Sequence, residues 1–83
     1  MPKLETKGNH LEIDGKRVLK GWESFSGWYW FGVEKVESDP GMWFGLVQGF
    51  EDEWGDFSEA ELKSNRMIWK IKACDLPIAG RRQ

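Results

Sequence analysis

His10 and Cys74 are the side chains here that could serve as a base and a thiol nucleophile, and each is the sole residue of its type. Nucleophilic catalysis needs a nucleophile, a base within hydrogen-bond reach and a group that orients the base. His10 opens one strand-like segment and Cys74 closes another, and nothing in the spacing joins them. No serine elbow or glycine-rich phosphate loop is present either. His10 therefore reads as an ordinary strand-start residue, and Cys74 as a small buried or half-buried side chain. Carboxylates are the plentiful acid–base groups, in Glu51, Glu53, Asp56, Glu59 and Glu61. Two carboxylates about 5–9 Å apart serve glycoside hydrolysis, and a group of them serves hard cations. Neither use has its spacing here, and a chain of 83 residues does not easily build a substrate cleft. They read as helix-start charges plus a solvated edge that resists strand addition. We expect no catalytic residue, no metal and no cofactor.

The aromatic residues make the better candidate. The stretch from Gly27 to Phe57 holds four of six tryptophans, four of five phenylalanines and the only tyrosine. Trp28, Trp30, Trp43 and Trp54 could form a face that meets a protein partner, a second copy, a sugar ring or the bases of a single strand. Charge separates these readings. Residues 1–22 carry a net +2, residues 23–61 a net −9 and residues 62–83 a net +5. Phosphate binding wants a basic surround, which only Lys63, Arg66, Lys70, Lys72, Arg81 and Arg82 could supply, if the last strand lies beside the aromatic hairpin. The opposing reading buries the indoles as core. Trp43 and Trp69 are expected inside, whereas Trp28 and Trp54 divide evenly between core and surface. The predicted binding residues are Trp28, Trp30, Trp54, Glu51, Glu53, Arg66 and Lys70.

Several elements must position these residues. Residues 1–9 lack periodicity and read as a fraying arm. His10 to Leu19 forms a hairpin about Asp14-Gly15, a pair suited to a type I′ turn. That turn sets Ile13 opposite Lys16 and Glu12 opposite Arg17 as an ion pair, with Leu11, Ile13 and Val18 on one face. Gly21 to Gly27 reads as a loop anchored by Trp22 and Phe25. The repeated Trp30-Phe31-Gly32-Val33 and Trp43-Phe44-Gly45-Leu46 flank Ser38-Asp39-Pro40-Gly41, a turn signal. A four-residue loop there pairs Glu37 with Met42, placing Tyr29, Phe31 and Val33 opposite Phe50, Gln48 and Leu46. The other face then sets indoles beside glycines, whose bare backbone a ring can cover. Ser58 to Glu61 is a capping box with Phe57 and Leu62 as its staple, so a short helix near 58–65 follows. Alternation from Met67 to Ala73 predicts a last strand near 66–73, which Pro77 ends. Residues 78–83 read as a flexible basic tail.

The fold class expected is α+β in one domain spanning residues 1–83. An antiparallel sheet of about five strands is built from two hairpins, with one short helix and a last strand. One cysteine excludes an internal disulfide framework and suits a reducing compartment. No apolar run reaches the roughly 18–20 residues of a membrane helix, and Met1 to Lys7 lacks the apolar core of a signal peptide. Hence a cytoplasmic protein without a membrane partner is expected.

From Phe44 to Leu62 the sequence resembles a family of uncharacterised small proteins of archaeal and bacterial genomes, often on plasmids and other mobile elements. The resemblance rests on Phe44, Gly45, Leu46, Val47, Gly49, Phe50, Glu51, Glu53, Gly55, Phe57, Ser58, Glu61 and Leu62, and spans about a quarter of the chain. Gly27 to Phe31 is compatible with it, while Trp54 stands where that family often has an aliphatic residue. The resemblance implies context and no activity. The functional expectation is a non-enzymatic binding module that meets a protein partner or a second copy through an aromatic and acidic surface. The alternative is single-stranded nucleic-acid binding through a Trp face and the basic last strand.

Overall fold

A computed structural model describes residues 2–79 and shows two antiparallel sheets with little helix. The first sheet is a meander of β1 (Leu4–Lys7), β2 (His10–Ile13) and β3 (Lys16–Arg17). The second contains β4 (Lys20–Ser24), β5 (Tyr29–Lys35), β6 (Met42–Gln48), β7 (Asp52–Ser58) and β8 (Ile68–Lys70). Its strand order is β7-β6-β5-β4-β8, so β7 and β8 are the two edges of an open sheet. Helix α1 (Glu59–Lys63) leads out of β7, and a 3-10 turn covers Leu76–Ile78. The protein is mostly β, and α+β fits it only loosely.

The Asp14-Gly15 hairpin forms in the expected register, Ile13 opposite Lys16 and Glu12 opposite Arg17, with positive φ at both turn residues. Glu12 takes its close contact elsewhere, from His10 Nε2 at 2.8 Å, and that hydrogen bond holds its carboxyl below the ordinary range. The fraying arm is corrected: Leu4 to Lys7 pair with β2 across a Gly8-Asn9 turn. Gly8 has φ +61° there, the first position of a type II′ turn, where glycine belongs. The loop expected over 21–27 is also largely strand. Its Trp22, 1% exposed, sits opposite Trp30 in β5 and is the largest fully buried side chain.

From Tyr29 to Gly32 the central hairpin keeps its predicted faces and shifts its register. Beyond a bulge, the expected pairing of Lys35 with Phe44 gives way to Lys35 opposite Trp43, over whose ring it lies. Phe31 pairs with Leu46 and Gly32 with Gly45, two residues from the expected partners. A two-residue shift leaves each side chain on its face, whereas a one-residue slip would have exchanged the faces. The cause lies at the tip. The loop is held by Val36 N–H donating to the Met42 carbonyl at 3.1 Å and Met42 N–H donating to that of Asp39 at 2.9 Å, and a bulge between Gly32 and Glu34 absorbs one residue. Beyond Gln48 the chain turns, and Asp52 to Ser58, expected as an acidic lead-in to the helix, runs back as β7. Phe50, expected opposite Tyr29 in the core, sits on that turn and is 94% exposed.

Each face of the large sheet has its own core. Phe31 and Leu46 meet Leu11, Ile13 and Val18 of the small sheet, together with Ile71. On the other face Trp22, Trp43 and Phe57 meet Leu62 of α1. Ser58 caps that helix as expected, its Oγ accepting from Glu61 N–H at 3.2 Å, and Phe57 and Leu62 close the staple. The last strand is shorter than its alternation suggested, Ile68–Lys70, and lies against β4, not beside the central hairpin. Trp69, expected inside, is 46% exposed on this edge. The tail expected over 78–83 starts within the 3-10 turn, and its Arg81 and Arg82 lie outside the described residues.

Trp43, 4% exposed as expected of a core residue, joins helix to sheet. Its ring lies on Gly32, where an added Cβ would stand 2.7 Å from Cε3. Its Nε1–H donates to Glu59 Oε1 at 2.9 Å, and Lys20 and Lys63 stand 3.7 Å from Oε2. The indole hydrogen bond, aided by the lysines, holds the Glu59 carboxyl below its ordinary 4.5 despite opposing desolvation.

Two predictions follow from this packing. Gly45 and Gly55 face each other across β6 and β7. A Cβ on Gly45 would collide with the Phe31 carbonyl, whereas one on Gly55 would meet nothing within 4 Å. Gly45→Ala should cost about 3 kcal/mol or more in urea unfolding, and Gly55→Ala less than about 0.5 kcal/mol; equal costs would refute the close approach at the bulge. Because the folded-state pKa of Glu59 is lowered, its contribution is present above 4.5 and lost as pH falls through the folded value. Stability of Trp43→Phe should therefore depend less on pH below 4.5 than that of the parent chain, as followed by thermal melts across an acid series.

Candidate functional site

The turn that expels Phe50 also builds a cleft. Gly49 N–H donates to the Glu51 carbonyl at 3.1 Å, tightening the link between β6 and β7 at the end of the sheet. From the neighbouring link between β4 and β5, Trp28 reaches the same corner. Its placement is specified locally: Trp28 N–H donates to Ser24 Oγ at 3.0 Å, Ser24 N–H donates to the Trp28 carbonyl at 2.9 Å, and Gly27 takes φ +92°. The six-membered part of the Trp28 ring lies directly on Gly49, where any Cβ would collide with it. This is the indole-on-glycine contact the sequence pattern anticipates, made between residues other than those the trial register paired.

The cleft encloses about 280 Å³ and is lined by Trp28, Val47, Gly49, Phe50, Glu51 and Glu53. Phe50 meets Trp28 edge-on, with centroids 5.3 Å apart and planes at 77°. Trp30 backs Trp28 at 6.0 Å and 31°. Glu51 and Glu53 are exposed at the rim, and among the described residues neither has a base within ion-pair distance. Among the described residues, the site thus offers π-faces and two carboxylates, with no cationic side chain in its lining.

The structure divides the predicted binding residues into three places. Trp28, Glu51 and Glu53 meet in the cleft, with Trp30 behind them. Trp54 belongs to the opposite face, stacked on Phe44 at 5.8 Å and packed against the core shared with the small sheet. Arg66 lies in the link before β8, and Lys70 pairs with Trp22 at the far edge. One cross-strand row runs Lys70, Trp22, Trp30, Val47, Glu53. Four inter-strand steps separate its charged ends, roughly 19 Å at the usual spacing. Phe50 is the cleft residue that sequence reasoning sent to the core; the Gly49 beside it and the acidic residues after it were the available signs of a turn.

His10 and Cys74 do come together more than their positions in the chain suggested. Both line a groove of about 690 Å³ between the small sheet and the 3-10 turn, with Arg17 and Leu76. The imidazole Nε2 is engaged by Glu12, and Cys74, exposed rather than buried, has Sγ 3.9 Å from Asp75 Oδ1. That neighbour is a carboxylate and not an activating cation. Among the described residues, no three His, Cys, Asp or Glu side chains gather to hold a metal ion, and no helix is long and apolar enough to cross a membrane.

Gly49→Ala must push Trp28 off its seat. The Trp28 indole Nε1–H resonance should move while that of Trp43 stays, in a two-dimensional NMR spectrum of the labelled protein; an unmoved Trp28 signal would mean that the ring does not rest on this glycine. No family model matches this chain, and no curated protein or solved structure matches it either.

Proposed function

We propose that this protein is a small non-catalytic binding module whose cleft at Trp28 and Phe50 engages a protein partner. The observation that carries this reading is Phe50, a phenylalanine 94% exposed and set edge-on to an indole, beside two carboxylates that no base among the described residues pairs. Isolated apolar residues on a surface are ordinary, but an aromatic pair forming the wall of a cleft has the character of an interface anchor. A rigid indole seated on bare backbone has little side-chain freedom left to lose, which lowers the cost of binding. The arrangement favours a protein over a nucleic-acid strand. Carboxylates line the cleft, and Arg66 and Lys70 stand at the opposite side of the sheet, so phosphates beside the aromatic pair would meet like charge.

Selection of a random peptide library on the immobilised protein tests this. Enriched peptides should bind Phe50→Ala and Trp28→Ala at least tenfold more weakly and bind Trp69→Ala unchanged, with circular dichroism confirming that each variant folds. Phe50→Ala is the cleaner variant, because so exposed a ring contributes little packing. Absence of enriched peptides, or peptides indifferent to both cleft substitutions, would overturn the assignment.

A further inference from the structure

We infer that the cleft accepts a single cationic side chain, the guanidinium or ammonium head of a basic residue in the partner; this rests on the protein-partner reading above. Size is the first argument. About 280 Å³, at the low end of the range of about 300–1,000 Å³ for ligand pockets, has room for one long side chain together with its head group.

Chemistry is the second, and the protein itself contains the template. At Trp43 three components meet: an indole, the Glu59 carboxylate and a lysine. Lys20 Nζ lies 5.7 Å from the ring centre of Trp43 and 3.7 Å from Glu59 Oε2, and Lys35 Nζ lies 5.4 Å from the same ring. These distances are those of a cation held by a ring quadrupole and, for Lys20, by a carboxylate as well. The cleft repeats two of the components, with Trp28 and Phe50 as rings and Glu51 and Glu53 as carboxylates, and among the described residues its lining has no cation. A cation brought by the partner completes the same trio. Of the ring residues, Trp28 presents the stronger quadrupole, and its fixed seat on Gly49 aims it without a conformational search.

The probes are N-acetyl-arginine methylamide and its neutral isostere, N-acetyl-citrulline methylamide, titrated to millimolar concentrations into the labelled full chain. The arginine probe should shift the Trp28 indole and Gly49 amide resonances in a saturable way. The citrulline probe should bind at least tenfold more weakly. Glu51→Gln with Glu53→Gln should weaken the arginine probe at least tenfold while leaving the rest of the spectrum intact, since both carboxylates are exposed. Equal responses to the two probes, or shifts centred away from Trp28, would overturn the inference. The two readings can fail separately. Selected peptides that need the cleft but tolerate replacement of every Arg and Lys by citrulline and norleucine would remove the cation and keep the partner. An arginine response at Trp28, with no peptide enriched, would keep the cation chemistry and remove the partner.

Discussion

The contact between the Trp43 indole and Gly32 is the constraint on which the rest of the structure depends. A buried aromatic removes about 150–250 Å² from water, roughly 4–6 kcal/mol at about 25 cal/mol per Å². A hydrogen bond to a charged group adds about 1.5–3 kcal/mol. Burial therefore sets where Trp43 goes, and the bond to Glu59 settles how its ring is turned. With the ring in place, Trp22 packs edge-on at 6.2 Å, and Phe57 packs edge-on against Trp22 at 5.8 Å. Helix α1 is only five residues long, too short to be stable alone. Its Ser58 cap, the Leu62 staple and the Trp43–Glu59 bond hold it to the sheet from three sides.

That arrangement accounts for the segregation of charge along the chain. The strand carrying Asp52, Glu53 and Asp56 becomes one edge of the sheet, and the short strand carrying Lys70 becomes the other. Charged edges discourage pairing with a further strand. Opposite charges are joined instead at Glu59, which draws Lys20 from β4 and Lys63 from its own helix turn. Glu51 and Glu53 lie away from this neutralised centre, at the corner where the aromatic cleft opens.

Features set by a few adjacent residues were legible in the sequence. Asp14-Gly15 specifies its turn because few residues tolerate φ > 0 at two successive positions, and Ser58 to Glu61 specifies a helix start through its own hydrogen bond. The two faces of the central hairpin were legible as far as Gly32, since alternation survives an even shift, and were lost at Glu34 and Lys35, where the bulge makes the shift odd. The register was not legible, because the bulge after Gly32 and the wider tip each move the pairing by one residue, and no local pattern records either. Strands β1 and β7 were missed because Leu4-Glu5-Thr6-Lys7 and Asp52 to Ser58 carry few apolar residues. Their strand character comes from the neighbours they pair with. The cleft was half legible: Trp28, Glu51 and Glu53 were singled out, whereas Arg66 and Lys70 were joined to them by an assumption about strand order that the sheet does not follow. Trp54 was joined to them by composition alone, and its strand turns it to the other face.

The exchange of Trp22 and Phe50 between their expected places ties the fold to the site. Once β4 pairs with β5, Trp22 comes opposite Trp30 and fills the helix-side core. On the other face, Phe31 and Leu46 are covered by the small sheet. Neither core then has a place that requires Phe50, and the chain can turn sharply at Gly49 and leave the phenylalanine outside. The bare backbone of Gly49, at the start of that turn, seats Trp28. An aromatic corner on the outside is thus a consequence of how the two interiors are filled. Its acidic rim gives it a chemistry that an apolar patch lacks, because carboxylates beside a π-face favour a cation over either a neutral group or an anion.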